Sequence, residues 1–187
     1  PLDKNDVGTL TLGGSLAGFT DGLNVNGGIL NASNPYTGGL SVAVGATANL
    51  DGTGNAITVT GPLAGTLNLG GGSNLDLDYG DLPEVTGTVN GTTPGSTLNI
   101  TGDGEGSLAN GVFNNIDYLT AAAGTLSIGT GTSVTFNGGS TIGGNLVVNG
   151  TLGGPVTVNP GGGLVGGGTI GGPVTVDGGT LAPSGID

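Results

Sequence analysis

The sequence has no arginine, histidine, cysteine, methionine or tryptophan, and Lys4 is its single cationic side chain. Its 13 acidic residues give a formal net charge of −12, so no basic patch can neutralise the phosphates of a nucleic acid or attract an anionic membrane surface. Ser-His and Cys-His nucleophiles are excluded for want of histidine and cysteine. These absences predict no nucleic-acid partner and no cofactor, and they remove the commonest catalytic groups.

Long apolar runs are also absent. No run approaches the roughly 18 residues of a membrane-spanning helix, so we expect no direct membrane insertion of this segment. No signal peptide opens the chain at Pro1, and we therefore expect a mature segment of a longer protein.

Glycine and proline dominate what is present, with 46 and 9 of the 187 residues. At this proportion disorder is the first structure to consider. Leu, Ile, Val and Phe nevertheless make up about a quarter of the chain, above the roughly 20% needed to bury enough apolar surface for folding. Because these residues also recur regularly, the composition favours one folded domain over residues 1–187.

The chain repeats itself at a short and nearly constant interval. Segment 151–165 reads TLGGPVTVNPGGGLV, and segment 169–183 reads TIGGPVTVDGGTLAP. The triplets LNV, LSV and ITV begin at Leu23, Leu40 and Ile57. A short fixed period indicates a repeat architecture, and the alternation of apolar and small polar residues is typical of strands with one buried face.

The repeat unit, of about 18 residues, is too short for a hairpin with its return, but it fits three short strands joined by glycine corners. Helix is disfavoured because glycine costs about 1 kcal/mol per interior helix position relative to alanine. Parallel strands with short connections are right-handed in nearly all known cases. The sequence therefore predicts an all-β, right-handed parallel β-helix, or β-solenoid, of about ten rungs of 17 to 20 residues and roughly 50 Å in length.

The last two repeats predict which side chains form the core and which form the corners. The inward positions are Val156, Val158, Leu164, Ile170, Val174 and Val176, with the last two valines stacked on the first two. Corners often need positive φ, which glycine adopts readily and Asn and Asp less readily. The polar residues expected at corners are Asn149, Asn159 and Asp177.

The repeat rhythm is lost between Tyr79 and Ala123. We therefore divide the single domain into regular rungs over 1–78, an irregular or inserted region over 79–123, and regular rungs over 124–187. Long insertions in solenoids usually form loops on one face, where partners bind.

The segments DLDYGDLPE and GDGEG make the middle of the chain acidic. A solvated acidic loop is one interpretation, and a calcium site is the other, because Ca²⁺ prefers carboxylate oxygens. GGSNLDLD, from Gly71, partly matches the calcium-binding nonapeptide, but such sites form between successive copies and only one copy is present. We therefore expect no metal, with Asp76, Asp78 and Asp81 as weak candidates only.

A polysaccharide-cleaving enzyme is a distant alternative, since two carboxylates about 5 to 10 Å apart can hydrolyse a glycoside. The chain has no Arg or His that could bind an acidic sugar. The side chains that could stack on a sugar are Tyr36, Tyr79 and Tyr118. Threonine pairs that would suit an ice-binding face do not recur in rung register; they are Thr9 with Thr11 and Thr58 with Thr60. We predict a non-enzyme without catalytic residues.

Three phrases resemble the passenger domains of bacterial autotransporters. NPYTGGLSVAVGATANL, at 34–50, is similar to their recurring strand repeat, and NGVFNNIDYLTAAAGTLSIG, at 110–129, is similar to the segment before their final rungs. GGTLAPSGID, at 178–187, resembles a phrase that closes a solenoid section, usually with Gly in place of Ser184. The resemblance implies export, translocation through an outer-membrane β-barrel and display of a rod at the bacterial cell surface. The lack of cysteine agrees with threading through the periplasm.

The expected function is that of a non-enzymatic extracellular or cell-surface module, a stiff rod that presents adhesive surface in adhesion, aggregation or biofilm. Its partners would be other copies of itself, end to end or side by side, or a ligand on a host cell surface. The alternative is a subunit of a self-assembling extracellular filament, because a solenoid without caps exposes unpaired strand edges at its ends.

Overall fold

The computed structural model describes residues 1–16, 18–19, 21–91, 95–109 and 112–184. Within them the chain is all β except for one 3₁₀ helix, Leu82–Glu84. The first five rungs contribute two strands each: β1 (Leu2–Lys4), β2 (Thr9–Leu12), β3 (Leu23–Val25), β4 (Ile29–Ala32), β5 (Thr37–Val42), β6 (Thr47–Leu50), β7 (Ala56–Leu63), β8 (Thr66–Leu69), β9 (Asn74–Asp78) and β10 (Thr88–Gly91).

The later rungs carry a third strand. Rungs six to nine contain β11 (Thr97–Thr101), β12 (Glu105–Leu108), β13 (Phe113–Asn114), β14 (Tyr118–Ala121), β15 (Thr125–Ile128), β16 (Ser133–Thr135), β17 (Gly139–Ile142), β18 (Asn145–Val148), β19 (Thr151–Gly153), β20 (Val156–Val158), β21 (Gly163–Gly166) and β22 (Thr169–Ile170). The tenth rung contains β23 (Val174–Val176) and β24 (Thr180–Pro183).

Parallel pairing joins these strands into four sheets. Sheet A takes one strand from every rung, in the order β1-β3-β5-β7-β9-β11-β14-β17-β20-β23. Sheet B (β2-β4-β6-β8-β10-β13) belongs to the first six rungs, whereas sheet C (β12-β15-β18-β21-β24) and sheet D (β16-β19-β22) belong to the later ones. The result is a solenoid of about 9 turns with coils of about 19 residues, so the predicted β-solenoid is confirmed.

The cross-section of the rod changes in the middle of the chain. Sheet B ends and sheet C begins in the sixth rung, which contributes both β12 and β13. The longest intervals between paired residues occur here, since Leu75 pairs with Leu98 and Val89 pairs with Phe113. The 3₁₀ helix contacts β12 at the edge of sheet C. Sheet A therefore runs unbroken through 79–123, and what changes is which other sides of the coil carry strands.

The core consists of columns of apolar side chains that run along the rod. In β15, Leu126 and Ile128 are fully buried, whereas Thr125 and Ser127 face outward and are half-buried. Ile128 pairs in register with Leu108 of the preceding rung and with Val148 of the next. Each rung thus buries its apolar side chains against the next, at about 25 cal/mol for each Å² removed from water.

The column that contains Leu126 begins at a glycine. Leu126 pairs with Leu146 in β18 but with Gly106 in β12. Tyr79 and Leu82 occupy the space beside this glycine, because a Cβ atom there would lie 2.5 Å from Leu82 Cδ1 and 3.0 Å from Tyr79 Cδ1. The 3₁₀ helix and the residues before it therefore cover the first strand of sheet C.

The predicted inward positions have the right register, but two of them are not buried. The residues of the ninth rung are covered: Val156, Val158 and Leu164 are buried and Ile170 is partly buried. Val174 and Val176 stack on the two valines below them as predicted. They are 37% and 41% exposed, however, because no described rung lies above them. The prediction that they belong to the buried core is therefore wrong.

The regular spacing of the sequence triplets does not hold for the third of them. Leu23 pairs with Leu40, but Leu40 pairs with Val59 rather than with Ile57. The register then shifts, so that Val42 pairs with Leu63. The long strand β7 bulges at this point, and a bulge inserts residues that the opposite strand does not match.

The corners are made by glycine and not by the polar residues proposed for them. Those residues lie between strands but do not have positive φ: Asn149, Asn159 and Asp177. Among the described residues other than glycine, only Asn115 has positive φ, at 54°. The corners after β20 and β23 use Gly161 and Gly178, with φ of 86° and 77°, because glycine has no Cβ to oppose this conformation.

Ser140 interrupts the apolar column of sheet A. It lies between Leu119 and Val156 of the neighbouring rungs and is 2% exposed. Its Oγ is the one buried side-chain oxygen in the described chain that has no hydrogen-bond partner. An unpaired buried hydroxyl costs roughly 1–3 kcal/mol, so we expect Ser140→Ala to raise the free energy of unfolding by about 1 kcal/mol in urea titration.

Ser73→Ala is the matched control for this substitution. The Ser73 hydroxyl is equally buried, but it donates to the Gly70 carbonyl at 2.7 Å and accepts from Asn55 Nδ2 at 2.9 Å. Its removal should lower stability. If Ser140→Ala lowers stability to the same extent, the account of Ser140 as an unpaired group is wrong.

Candidate functional site

A ladder of asparagines runs along the outer face of sheet B. Its members pair in register from rung to rung and are Asn31, Asn49, Asn68, Asn90 and Asn114. From Asn49 onward, each amide Nδ2 donates to the Oδ1 of the asparagine in the preceding rung, at 2.6, 2.6, 2.8 and 3.1 Å in chain order. Stacked amides satisfy one another without the repulsion that stacked charges would suffer.

The ladder has a direction. Because the four donating Nδ2 groups point toward the N-terminal rungs, the Oδ1 of Asn114 is the last acceptor of the ladder, and no described residue is seen to donate to it. Hydrogen bonds in a chain polarise one another, so an acceptor at the end of four linked hydrogen bonds is a better acceptor than an isolated one. The ladder therefore presents a hydrogen-bond acceptor where sheet B ends.

A second column lies two residues before the ladder on the same face. Thr47, Thr66 and Thr88 pair in register and are half-buried. The signal for this face is the triplet T-x-N, which starts at each of these threonines. The column was not predicted from the sequence, because the threonine pairs T-x-T were considered instead of the triplet T-x-N. In the structure those threonines pair with other residue types: Thr9 with Ile29, Thr11 with Asn31 and Thr58 with Asp76.

Sheet A carries a comparable outer column in its C-terminal half. Thr120, Thr141, Thr157 and Thr175 pair in consecutive rungs. Uncharged side chains that can stack without repulsion thus cover the outer faces of both long sheets along much of the rod.

The side chains of the three candidate calcium ligands accept hydrogen bonds from backbone N–H groups or from an asparagine amide. Asp76 Oδ1 accepts from Asn99 Nδ2 at 2.8 Å on the outer face of sheet A. Asp81 Oδ2 accepts from the backbone N–H of Asp78 at 2.9 Å, and Asp78 Oδ1 accepts from that of Gly80 at 3.0 Å. In the described part of the chain, no group of three or more acidic residues is arranged to hold a metal ion.

Calcium is therefore expected to leave the stability of the protein almost unchanged. A ligand present at 100 times its dissociation constant would add about 2.7 kcal/mol and raise the melting temperature by several degrees. Thermal unfolding followed by circular dichroism, with excess calcium and with excess chelator, measures the difference. A rise of many degrees in calcium would place Asp76, Asp78 and Asp81 in a metal site after all.

Two of the three tyrosines are structural. Tyr36 is fully buried and donates its hydroxyl to the Gly39 carbonyl at 2.6 Å, and Tyr79 is buried and donates to the Ala123 carbonyl at 2.7 Å. Burial raises the pKa of Tyr36 and of Tyr79. Tyr118, at 45% exposed, is the tyrosine that a ligand could reach.

The single cationic side chain, Lys4, forms hydrogen bonds to groups in the first two rungs. Lys4 is buried, and its Nζ donates to a carboxylate oxygen and to the carbonyl of Asp6, and to the Gly27 carbonyl at 3.1 Å. The hydrogen bond from Lys4, together with its charge, holds the pKa of Asp6 below its usual range. Lys4 is therefore not available to bind an anionic ligand.

A polar cleft of about 220 Å³ opens where sheet B gives way to sheet D. Strand β13 is the last strand of sheet B and β16 is the first of sheet D, and the two do not pair although they belong to consecutive rungs. The lining residues come from the two strands and the residues after them: Phe113, Asn114, Asn115, Ser133, Val134, Thr135 and Asn137. Asn114, the last member of the ladder, is one of these lining residues, and none of the described lining residues is charged.

Two further clefts lie at the ends of the rod. One of about 270 Å³ includes Leu12, Leu16 and Phe19, and the other, of about 180 Å³, includes Ile170 and Leu181. None of the described residues that line these two clefts is acidic.

Comparison of the chain with protein-family models, with curated proteins and with solved structures finds no match. Among the described residues, no helix has the length and apolar character needed to cross a membrane. The function must therefore be argued from the solenoid and its surfaces.

Proposed function

We propose that this chain is a non-enzymatic β-solenoid module that acts as a structural and adhesive rod at a cell surface or outside the cell, in the manner of an autotransporter passenger domain. The observation that carries the proposal is the unbroken sheet A, which links all ten rungs and presents a column of outward side chains along the rod. Nine rung spacings of about 4.8 Å make the solenoid about 43 Å long.

The chemistry of the outer faces favours an adhesive role more than a catalytic one. Outer faces of sheets A and B carry threonine and asparagine columns, whose hydroxyl and amide groups can form many weak hydrogen bonds with a partner. A rod that repeats such groups binds by the sum of many contacts, since multivalent binding exceeds the affinity of any single contact. The partners we propose are copies of the same chain or a ligand on a host cell.

Beads that carry the protein test the adhesive role. The chain has no cysteine, so one cysteine added after Asp187 attaches every molecule in the same orientation. We expect these beads to cluster with one another or to attach to epithelial cells more than albumin-coated beads do. Clustering and attachment no greater than those of albumin would contradict the adhesive role without affecting the fold.

A filament subunit is the second candidate, and exposed apolar residues of the last described rung favour it. Val174, Val176 and Leu181 are 37%, 41% and 50% exposed beside the free edges of β23 and β24. Head-to-tail contacts that do not close grow into fibres. The sheets at the two ends argue against this candidate. The first rung has strands of sheets A and B, whereas the last described rungs have strands of sheets A, C and D. Only sheet A could therefore continue from one molecule into the next.

Self-association through the ends is expected to be weak and to depend on Val176. Sedimentation velocity over a range of concentrations should show reversible association that Val176→Lys abolishes, because a charge on the apolar edge opposes stacking. Thr157→Lys, on the outer face one rung below, should associate like the parent chain. Long fibres from the parent chain would favour the filament subunit over the rod.

A further inference from the structure

We infer that the cleft between β13 and β16 is a binding site for one uncharged sugar unit of a glycan. This site goes beyond the proposed function, because a rod could act in adhesion through its outer columns alone.

The cleft arises from the change in cross-section. In the sixth rung the third strand, β13, pairs back to β10, and in the seventh rung the third strand, β16, pairs forward to β19. The chain leaves β13 through Asn115, the only described non-glycine residue with positive φ. The two strands do not pair with each other, and the cleft lies between them.

The polar groups of the cleft are uncharged donors and acceptors. Asn114 supplies the open acceptor at the end of the amide ladder, while Thr135 and Asn137 supply an exposed hydroxyl and an exposed amide. Phe113 and Val134 also border the cleft, but both side chains are buried in the core, so the accessible lining is mainly polar. A sugar unit matches this lining, because its hydroxyl groups can donate to and accept from uncharged polar side chains.

The size and shape of the cleft limit how much of a ligand it can hold. Its volume of about 220 Å³ is below the roughly 300–1,000 Å³ typical of sites for drug-sized ligands. A peptide that added a strand would need a long free edge, but β13 has 2 residues and β16 has 3. The described lining residues carry no charge, which disfavours an anionic sugar or a phosphate.

Titration of the full ¹⁵N-labelled chain with methyl glycosides of glucose, galactose, mannose and N-acetylglucosamine tests the inference. We expect at least one neutral glycoside to shift the amide signals of Phe113–Asn115 and of residues 133–137, with a dissociation constant on the order of 1 mM. Glucuronic acid should bind more weakly. No shift with any neutral glycoside, or stronger binding of glucuronic acid, would overturn the inference.

The two ends of the asparagine ladder provide matched variants. Asn114→Ala and Asn31→Ala each remove one amide-to-amide hydrogen bond, but only Asn114 lines the cleft. We expect Asn114→Ala to weaken glycoside binding about tenfold, the effect of one hydrogen bond, and Asn31→Ala to leave it unchanged. Equal weakening by both variants, or by neither, would show that the cleft does not bind the sugar through Asn114.

Discussion

Val158→Asp is expected to unfold the C-terminal rungs at room temperature. Val158 is fully buried between Ile142 of the rung below and Val176 of the rung above. The aspartate would place an unpaired carboxylate in the apolar column, at a cost of at least about 4 kcal/mol. Circular dichroism measures the loss, which should appear as a weaker β signal before urea is added and as a lower urea midpoint for the rungs that remain folded.

Val176→Asp and Thr157→Asp are the matched controls. Val176 lies in the same column one rung higher but is 41% exposed, and Thr157 is the neighbour of Val158 in the chain and faces outward. Each should lower the free energy of unfolding by about 1 kcal/mol or less, because the carboxylate stays in contact with water. Similar losses of stability in all three aspartate variants would mean that the assigned register is wrong.

Gly154→Ala is expected to have the second-largest effect. Gly154 forms the corner between β19 and β20 with a φ of 95°, and a Cβ atom at this position would lie 2.0 Å from the carbonyl oxygen of Phe136. The backbone of one rung would have to move away from the other. We expect a loss of about 3 kcal/mol or more in urea unfolding, since strain and lost packing add to the cost of positive φ.

Gly161→Ala separates the conformational cost of positive φ from the cost of close contact between rungs. Gly161 has a similar φ of 86°, but a Cβ atom there would meet nothing within 4 Å. Only the conformational cost of about 1 kcal/mol should remain. If the two alanine variants lose equal stability, close contact between consecutive rungs does not determine which corners require glycine.

The repeated phrases were sufficient to predict the solenoid. Two consecutive segments that share the run GGPVTV place Val156 under Val174, and the structure has this pairing. The bulge in β7 could not be predicted, because it depends on how Thr60–Pro62 fit against a strand of the neighbouring rung. Burial at Val174 and Val176 was predicted wrongly because periodicity specifies which way a side chain points and not whether another rung covers it.

The outer ladder was predictable and the cleft was not. T-x-N recurs at Thr47, Thr66 and Thr88, and its recurrence in a parallel solenoid implies stacked asparagines. The cleft depends on the change from sheet B to sheet D after Asn114, which involves the very short strands β13 and β16. Such short strands leave no periodic signal in the sequence.

Distances between pairs of spin labels test most directly the claim that the chain is a straight rod of stacked rungs. The chain has no cysteine, so cysteine pairs can be introduced and labelled on the outer column of sheet A, with Asn24 as the common partner of Thr120 and Thr157. These pairs are separated by five and seven rung spacings, which predicts narrow distributions near about 24 Å and about 34 Å. Broad distributions that follow sequence separation, as in a disordered glycine-rich chain, would contradict the rod.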